Sequence, residues 1–256
     1  IFAPAPLFPI MMEYYDIGRG TVSLMVTSVF LVLTFFLIPG GTIVARMGTR
    51  KACLLGGLLM PSSLLMGVAP TLALQVALRV VLGLGAAIMI PASAAILGQW
   101  MNPRERGPMA AIYLMGESGG VAFAMFTGVI TANLLGWQNV FAVYAGFSLV
   151  STAAWGLVGR SAPTLAPETT SVREVLGMLL ERRTLLLSLA GVGPIAMFIS
   201  FASWLPTYYN EAFGMELERA TRLATVMPLT GTVMNGVAAV ILARFQARRP
   251  VFVVTG

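Results

Sequence analysis

Residues 44–51 read VARMGTRK, and residues 242–249 read LARFQARR. The two stretches align without a gap at an offset of 198, small, apolar and basic positions falling opposite their like. Each closes an apolar run long enough to cross a bilayer, for neither Thr21 to Ala45 nor Leu223 to Ala243 carries a charge. A second pair of echoes precedes these runs. Pro9, Tyr14-Tyr15, Asp16 and Gly18 correspond to Pro206, Tyr208-Tyr209, Glu211 and Gly214, again close to two hundred residues apart. A repeat of this period with parallel topology implies a membrane protein built from two like halves of six helices.

Composition agrees. The 256 residues are 57% hydrophobic and 10% charged, where a soluble domain carries about a quarter charged residues, so a water-facing surface is excluded. With no histidine and one cysteine, Cys53, a disulfide is excluded and neither a metal site nor any other cofactor is expected. The net charge of +6 does not point to nucleic acid, because the basic residues sit in short loops between apolar spans.

The charges divide the chain. After Arg46, Arg50 and Lys51 an apolar stretch runs from Ala52 to Ala69, and Pro70 turns into a helix over Leu72 to Gly98 whose one charge is Arg79. A polar loop, Gln99 to Gly107, follows. Pro108 to Gly159 carries only Glu117, and Asn133, Gly136 and Asn139 break it into two helices. A polar segment, Arg160 to Arg183, contains Pro163, Pro167 and a short amphipathic stretch over Ser171–Glu181. A helix over Thr184 to Leu205, ended by Pro206, and one over Leu223 to Ala243 complete seven spans, with parts of one more at each end. Both ends lie inside apolar runs, as expected of a piece of a longer protein. Loops at 46–51, 99–107, 160–183 and 244–249 hold twelve Lys and Arg against three in the opposite loops, which puts the first set in the cytoplasm and predicts a multi-pass protein of the cell (inner) membrane.

Arg79 is the first candidate for chemistry. It lies about 10 Å along its helix, and a charge at the centre of a span costs about 2.5–3.5 kcal/mol, so it needs a partner, a cavity or a function. An anion-binding arginine satisfies that need; snorkelling from a shorter helix is the alternative, but would leave TLALQVAL as an apolar loop in water. Glu117 lies about 14 Å deep from the other side, within about 6 Å of the depth of Arg79 in a core about 30 Å thick. Contact between the two is expected, either as a proton-coupling pair or as a structural ion pair. Tyr113, one turn away, shares the face of Glu117.

Gly116, Gly120, Ala124 and Gly128 recur every fourth residue, a spacing that suits close helix packing, and Gly83, Ala87 and Pro91 form a similar row with Pro91 as a kink. Asn235, Ser200, Ser203 and Trp204 are candidate lining for a site near the bilayer midplane, or interhelical contacts.

Taken in order, these segments resemble the major facilitator superfamily. Gly41, Arg46, Gly48, Arg50 and Lys51 match that family's loop signature, with Ala45 where the family carries aspartate. Arg79-Val-Val-Leu-Gly83-Leu-Gly85 resembles its fourth-helix motif, and Gln99-Trp100 to Gly107, Gly136-Trp137 with Phe141, and Trp204 to Tyr208 fit as well.

The resemblance implies an all-α carrier of which about eight of twelve helices are present. It assigns residues 1–160 to the first six-helix half, 161–183 to a cytoplasmic linker and 184–256 to the start of the second half. It also implies a coupling role for Arg79. In the basic loop Arg46 and Arg50 can hold carbonyls or acids at a cytoplasmic gate, with Glu105 a candidate substitute for the missing aspartate; positive-inside topology is the alternative, which explains the charge but not the Gly-x-x-x-x-Arg-x-Gly spacing. The stretch Gly120 to Gly128 lacks the proline typical of the family's antiporters, which favours symport or uniport over drug efflux. The nearest likeness is to the small-anion, cyanate- and nitrate-type porters. The expected function is alternating-access transport of a small anion with protons as coupling ion, by a monomer and without enzymatic activity. A drug exporter of the same fold and a seven-helix receptor are the alternatives.

Overall fold

The computed structural model describes residues 1–160 and 177–245, in which all regular structure is helical. A short helix α1 (Phe8–Tyr15) and a single turn α2 (Arg19–Val22) lead into α3 (Leu24–Met47). There follow α4 (Thr49–Leu59), continued as a 3-10 segment over Met60–Val68, then α5 (Leu72–Trp100), α6 (Arg106–Leu135) and α7 (Trp137–Val158). After the undescribed stretch come α8 (Arg182–Phe213), α9 (Leu217–Ala224) and α10 (Val226–Phe245). Seven helical segments among the described residues are long and apolar enough to cross a membrane, as the charge spacing predicts. Pro163, Pro167, most of the Ser171–Glu181 stretch and the beginning of a further span after residue 245 lie outside the described residues.

In lipid every backbone polar group must be satisfied within the protein, so breaks fall where a residue tolerates unusual dihedrals. Gly48 separates α3 from α4 at φ 79° and Gly136 separates α6 from α7 at φ 86°, both in a region that favours glycine. Thr71 caps α5 by accepting the Leu74 amide at 3.3 Å.

Two boundaries differ from the sequence expectation. The helix holding Pro206 does not stop there; α8 runs through Pro194 and Pro206 to Phe213. A proline removes one helical hydrogen bond, a smaller loss than unpairing a whole turn in an apolar setting. The helix expected to start at Pro108, α6, starts at Arg106, a residue pair earlier, which suits proline in the first turn.

α3 lies along α5, α4 packs between α5 and α7, and α7 also covers the 3-10 segment. α6 stands apart from α5, which it touches only briefly, and runs along α10. Glycines set how closely these helices approach. A Cβ at Gly40 would stand 2.0 Å from the Ala87 carbonyl oxygen, and Gly56 and Gly85 meet each other's carbonyls in the same way across α4 and α5. A Cβ at Gly83 would stand 3.0 Å from Cβ of Val32 on α3. Gly128 meets Pro6 and the Tyr144 hydroxyl, but Cβ atoms at Gly116 and Gly120 would touch nothing within 4 Å. The four-residue row on α6 is therefore not one seam. The surface of α6 that α10 covers carries Met115, Ser118 and Gly119, which meet Gly236, Gly231 and Thr232.

Candidate functional site

Seven residues into α5, Arg79 is 1% exposed and points inward. One nitrogen, Nη1, donates to the Ile1 carbonyl at 3.1 Å, and the guanidinium carbon lies 5.9 Å from the centre of the Phe141 ring. Nε and Nη2 have no hydrogen-bond partner, and no acid lies within ion-pair distance among the described residues. A fully buried cation whose side-on edge is left unpaired is costly unless something else completes it.

One turn earlier on the same face, Gln75 is 0% exposed. Its Nε2 donates to the Tyr15 hydroxyl at 2.7 Å and to the Met66 carbonyl at 3.2 Å, and Tyr15 in turn donates to the Ala69 carbonyl at 3.3 Å. The 3-10 segment supplies Met66, with Ala69 just past its end, so the change of helix type before Pro70 places two acceptors over α5. Gln75 Oε1 has no partner among the described residues. Sequence reasoning overlooked Gln75 and the role of Tyr15. A signal was present in the polar residue four before Arg79, a spacing that puts both on one face.

Glu117 does not meet Arg79. α5 and α6 are 29 and 30 residues long, so each exceeds the bilayer core and depths taken from opposite ends cannot be subtracted from its thickness. Along its own helix Arg79 lies about 10 Å, and Glu117 about 27 Å, from the end opposite the arginine-rich side. The expected contact is corrected accordingly. Glu117 is exposed on α6, as is Tyr113 one turn before it.

Ser200, Ser203 and Trp204 of α8 line a cavity of about 410 Å³ shared with Phe8, Ser23, Val26, Thr27 and Phe30. The Ser203 hydroxyl is buried without a partner, and Trp204 packs on the Phe8 ring at 5.2 Å. Asn235 lies elsewhere, half-buried on α10.

At the arginine-rich side, Arg50 donates to the Gly156 carbonyl at 2.9 Å while the Trp155 indole donates to the Arg50 carbonyl at 3.3 Å, tying the start of α4 to the end of α7. Gly41 faces Pro91 at 3.9 Å, and Arg46 and Lys51 are exposed. Glu105 does not stand in for the aspartate missing at position 45. Its carboxylate accepts the Asn102 amide at 3.0 Å within its own loop, and Arg106 caps α5 through the Gly98 and Met101 carbonyls.

On the opposite side, chain segments from before and after the undescribed stretch meet. Arg19 pairs with Glu211, and the Asn133 amide donates to Glu218, which also pairs with Arg222. Arg19 follows the first copy of the repeated Tyr-Tyr loop and Glu211 belongs to the second.

A multi-pass helical protein with an internal repeat and a guanidinium buried inside one of its spans has the build of a membrane carrier. The chain belongs to the Major Facilitator Superfamily, whose family model matches residues 1–256. It is similar to vesicular glutamate transporter 2 of Mus musculus and of Homo sapiens, each 27% identical over 225 residues, covering 77% of this chain and 38% of the relative. It is also 20% identical to an uncharacterized protein of Campylobacter jejuni, covering 85% of this chain and 68% of that protein. The chain thus spans well under half the length of the vesicular relatives it matches.

Proposed function

We propose that the parent protein is a secondary transporter of the cell membrane that moves a small anion by alternating access, with Arg79 as the anion contact and Glu117 in a proton-coupling path. The reading is carried by the Nε–Nη2 edge of the guanidinium, which among the described residues has no hydrogen-bond partner and no acid to neutralise it. Those two nitrogens form the fork that pairs with two oxygens of a carboxylate or other planar oxyanion. The likeness to transporters of glutamate, an anion, is in keeping. Residues 1–160 are then most of one half, 161–183 the linker and 184–256 the start of the other, rocking about the α6–α10 seam. Glu117, which makes no ion pair among the described residues and sits inside an apolar span, is suited to loading and releasing a proton rather than to holding Arg79.

The test is transport current from the full-length parent in proteoliposomes, challenged with small anions at two pH values, for wild type, Arg79→Gln and Glu117→Gln. An anion-evoked, pH-dependent current should vanish in Arg79→Gln and lose its pH dependence in Glu117→Gln. Unchanged current in Glu117→Gln removes that residue from the coupling path. No current with any anion overturns the anion reading.

A further inference from the structure

We infer that Gln75 is a specificity-determining residue of the Arg79 site, its amide oxygen accepting a hydrogen bond from a donor group on the transported anion. This rests on the reading of Arg79 as an anion contact and adds to it a demand on the rest of the solute.

A side-chain amide carries two N–H donors and one acceptor oxygen, and its orientation is settled by its neighbours. Tyr15 gives its hydroxyl hydrogen to the Ala69 carbonyl, so toward Gln75 the same oxygen accepts. The Met66 carbonyl can only accept. Both N–H groups of Gln75 are thereby used, and turning the amide over would set its oxygen against the Met66 carbonyl and oblige the Tyr15 hydroxyl to give up its bond to Ala69. Nε2 is pinned, and Oε1 is left as a buried acceptor with nothing to accept.

Four residues on, the same face of α5 presents the two free donors of Arg79. No hydrogen bond joins Oε1 to the guanidinium, although each has the capacity the other lacks. A solute that completes both must bring oxygens to Arg79 and an O–H or N–H to Gln75. A simple carboxylate fulfils the first need and leaves a buried acceptor unpaired, which is the condition under which a polar site rejects an analogue lacking one donor.

The experiment compares two probes of nearly equal size, lactate and propionate, which differ by one hydroxyl. Uptake of each is measured with the full-length parent in proteoliposomes. Wild type should favour lactate by about tenfold or more in kcat/KM, with most of the difference in KM. Gln75→Met, unbranched and of similar length but without amide groups, should bring the two solutes within about twofold of each other while Arg79 still binds both. Tyr15→Phe removes one pin and should narrow the preference partially; it carries the test if Gln75→Met fails to accumulate. A merely structural role would depress both solutes equally and keep their ratio. A preference for lactate that survives in Gln75→Met, or wild type that transports both without preference, overturns the inference about Gln75 alone. Transport of neither solute while other small anions still evoke a current overturns the inference about Gln75 alone; no current with any anion overturns the reading of Arg79, and this inference falls with it.

Discussion

Gly40→Ala tests whether glycine contacts, rather than apolar area, set the packing of the first half. A Cβ there would stand 2.0 Å from the Ala87 carbonyl oxygen and 2.8 Å from its carbon, where ordinary contact begins at 3.4 Å. The neighbour is backbone inside a continuous helix, so no rotamer change relieves the clash. α3 and α5 must part locally by about 1.4 Å, and a gap of about 1 Å already forfeits up to half of the dispersion energy of the atoms facing it. Overpacking costs about 1–3 kcal/mol, and a rigid neighbour puts this site at the upper end. Alanine returns about 1 kcal/mol through its helix propensity. The net expectation is a loss of about 2 kcal/mol. Gly120→Ala, which meets nothing within 4 Å, keeps the propensity gain without the clash. Thermal unfolding of the detergent-solubilised parent should separate the two variants by about 5 °C or more, Gly40→Ala below wild type and Gly120→Ala at or above it. Equal melting temperatures would refute the close approach of α3 and α5 and the reasoning built on it.

Two further outcomes check the contacts that join the early and late parts of the chain. A Cβ on Gly231 would lie 3.7 Å from Cβ of Ser118, within the span of a disulfide, so the Ser118→Cys, Gly231→Cys double variant should cross-link under mild oxidation. After cleavage at a protease site inserted between residues 161 and 176, the two fragments should remain joined on a non-reducing gel, and separation would displace α10 from α6. The Arg19–Glu211 pair is largely solvent-facing, with side chains 69% and 33% exposed. A double-mutant cycle with Arg19→Ala and Glu211→Ala should therefore return a coupling below about 1 kcal/mol that shrinks as salt is added, and a larger, salt-insensitive value would contradict the exposed placement.

Much of the architecture was legible because a bilayer demands it. Long uncharged runs in lipid have to be helical, and breaks fall at glycines that adopt positive φ, so Gly48 and Gly136 could be read in advance. Pro206 misled for the same reason: the membrane setting that forbids loose ends carries α8 through a residue that ends helices in water. The site was half legible. Arg79 announces itself as a charge in an apolar span, whereas its neighbour Gln75 draws attention only once the faces of α5 are known. The pairing with Glu117 failed because one-dimensional depth does not include helix length beyond the bilayer or the gap between α5 and α6.

The amino-acid sequence by itself determined the number of spans, their boundaries to within a turn or two, the repeat and the family, because these follow from hydropathy, charge and periodicity along a single line. Only the tertiary structure decided which glycines touch, that Glu105 serves its own loop, that α6 meets α10 through Ser118 and Gly119, and that Tyr15 and Met66 hold the amide of Gln75 in one orientation. Those outcomes depend on the rotation of each helix about its axis and on contacts between residues from a few to more than a hundred positions apart, quantities that a linear pattern of residue types does not contain.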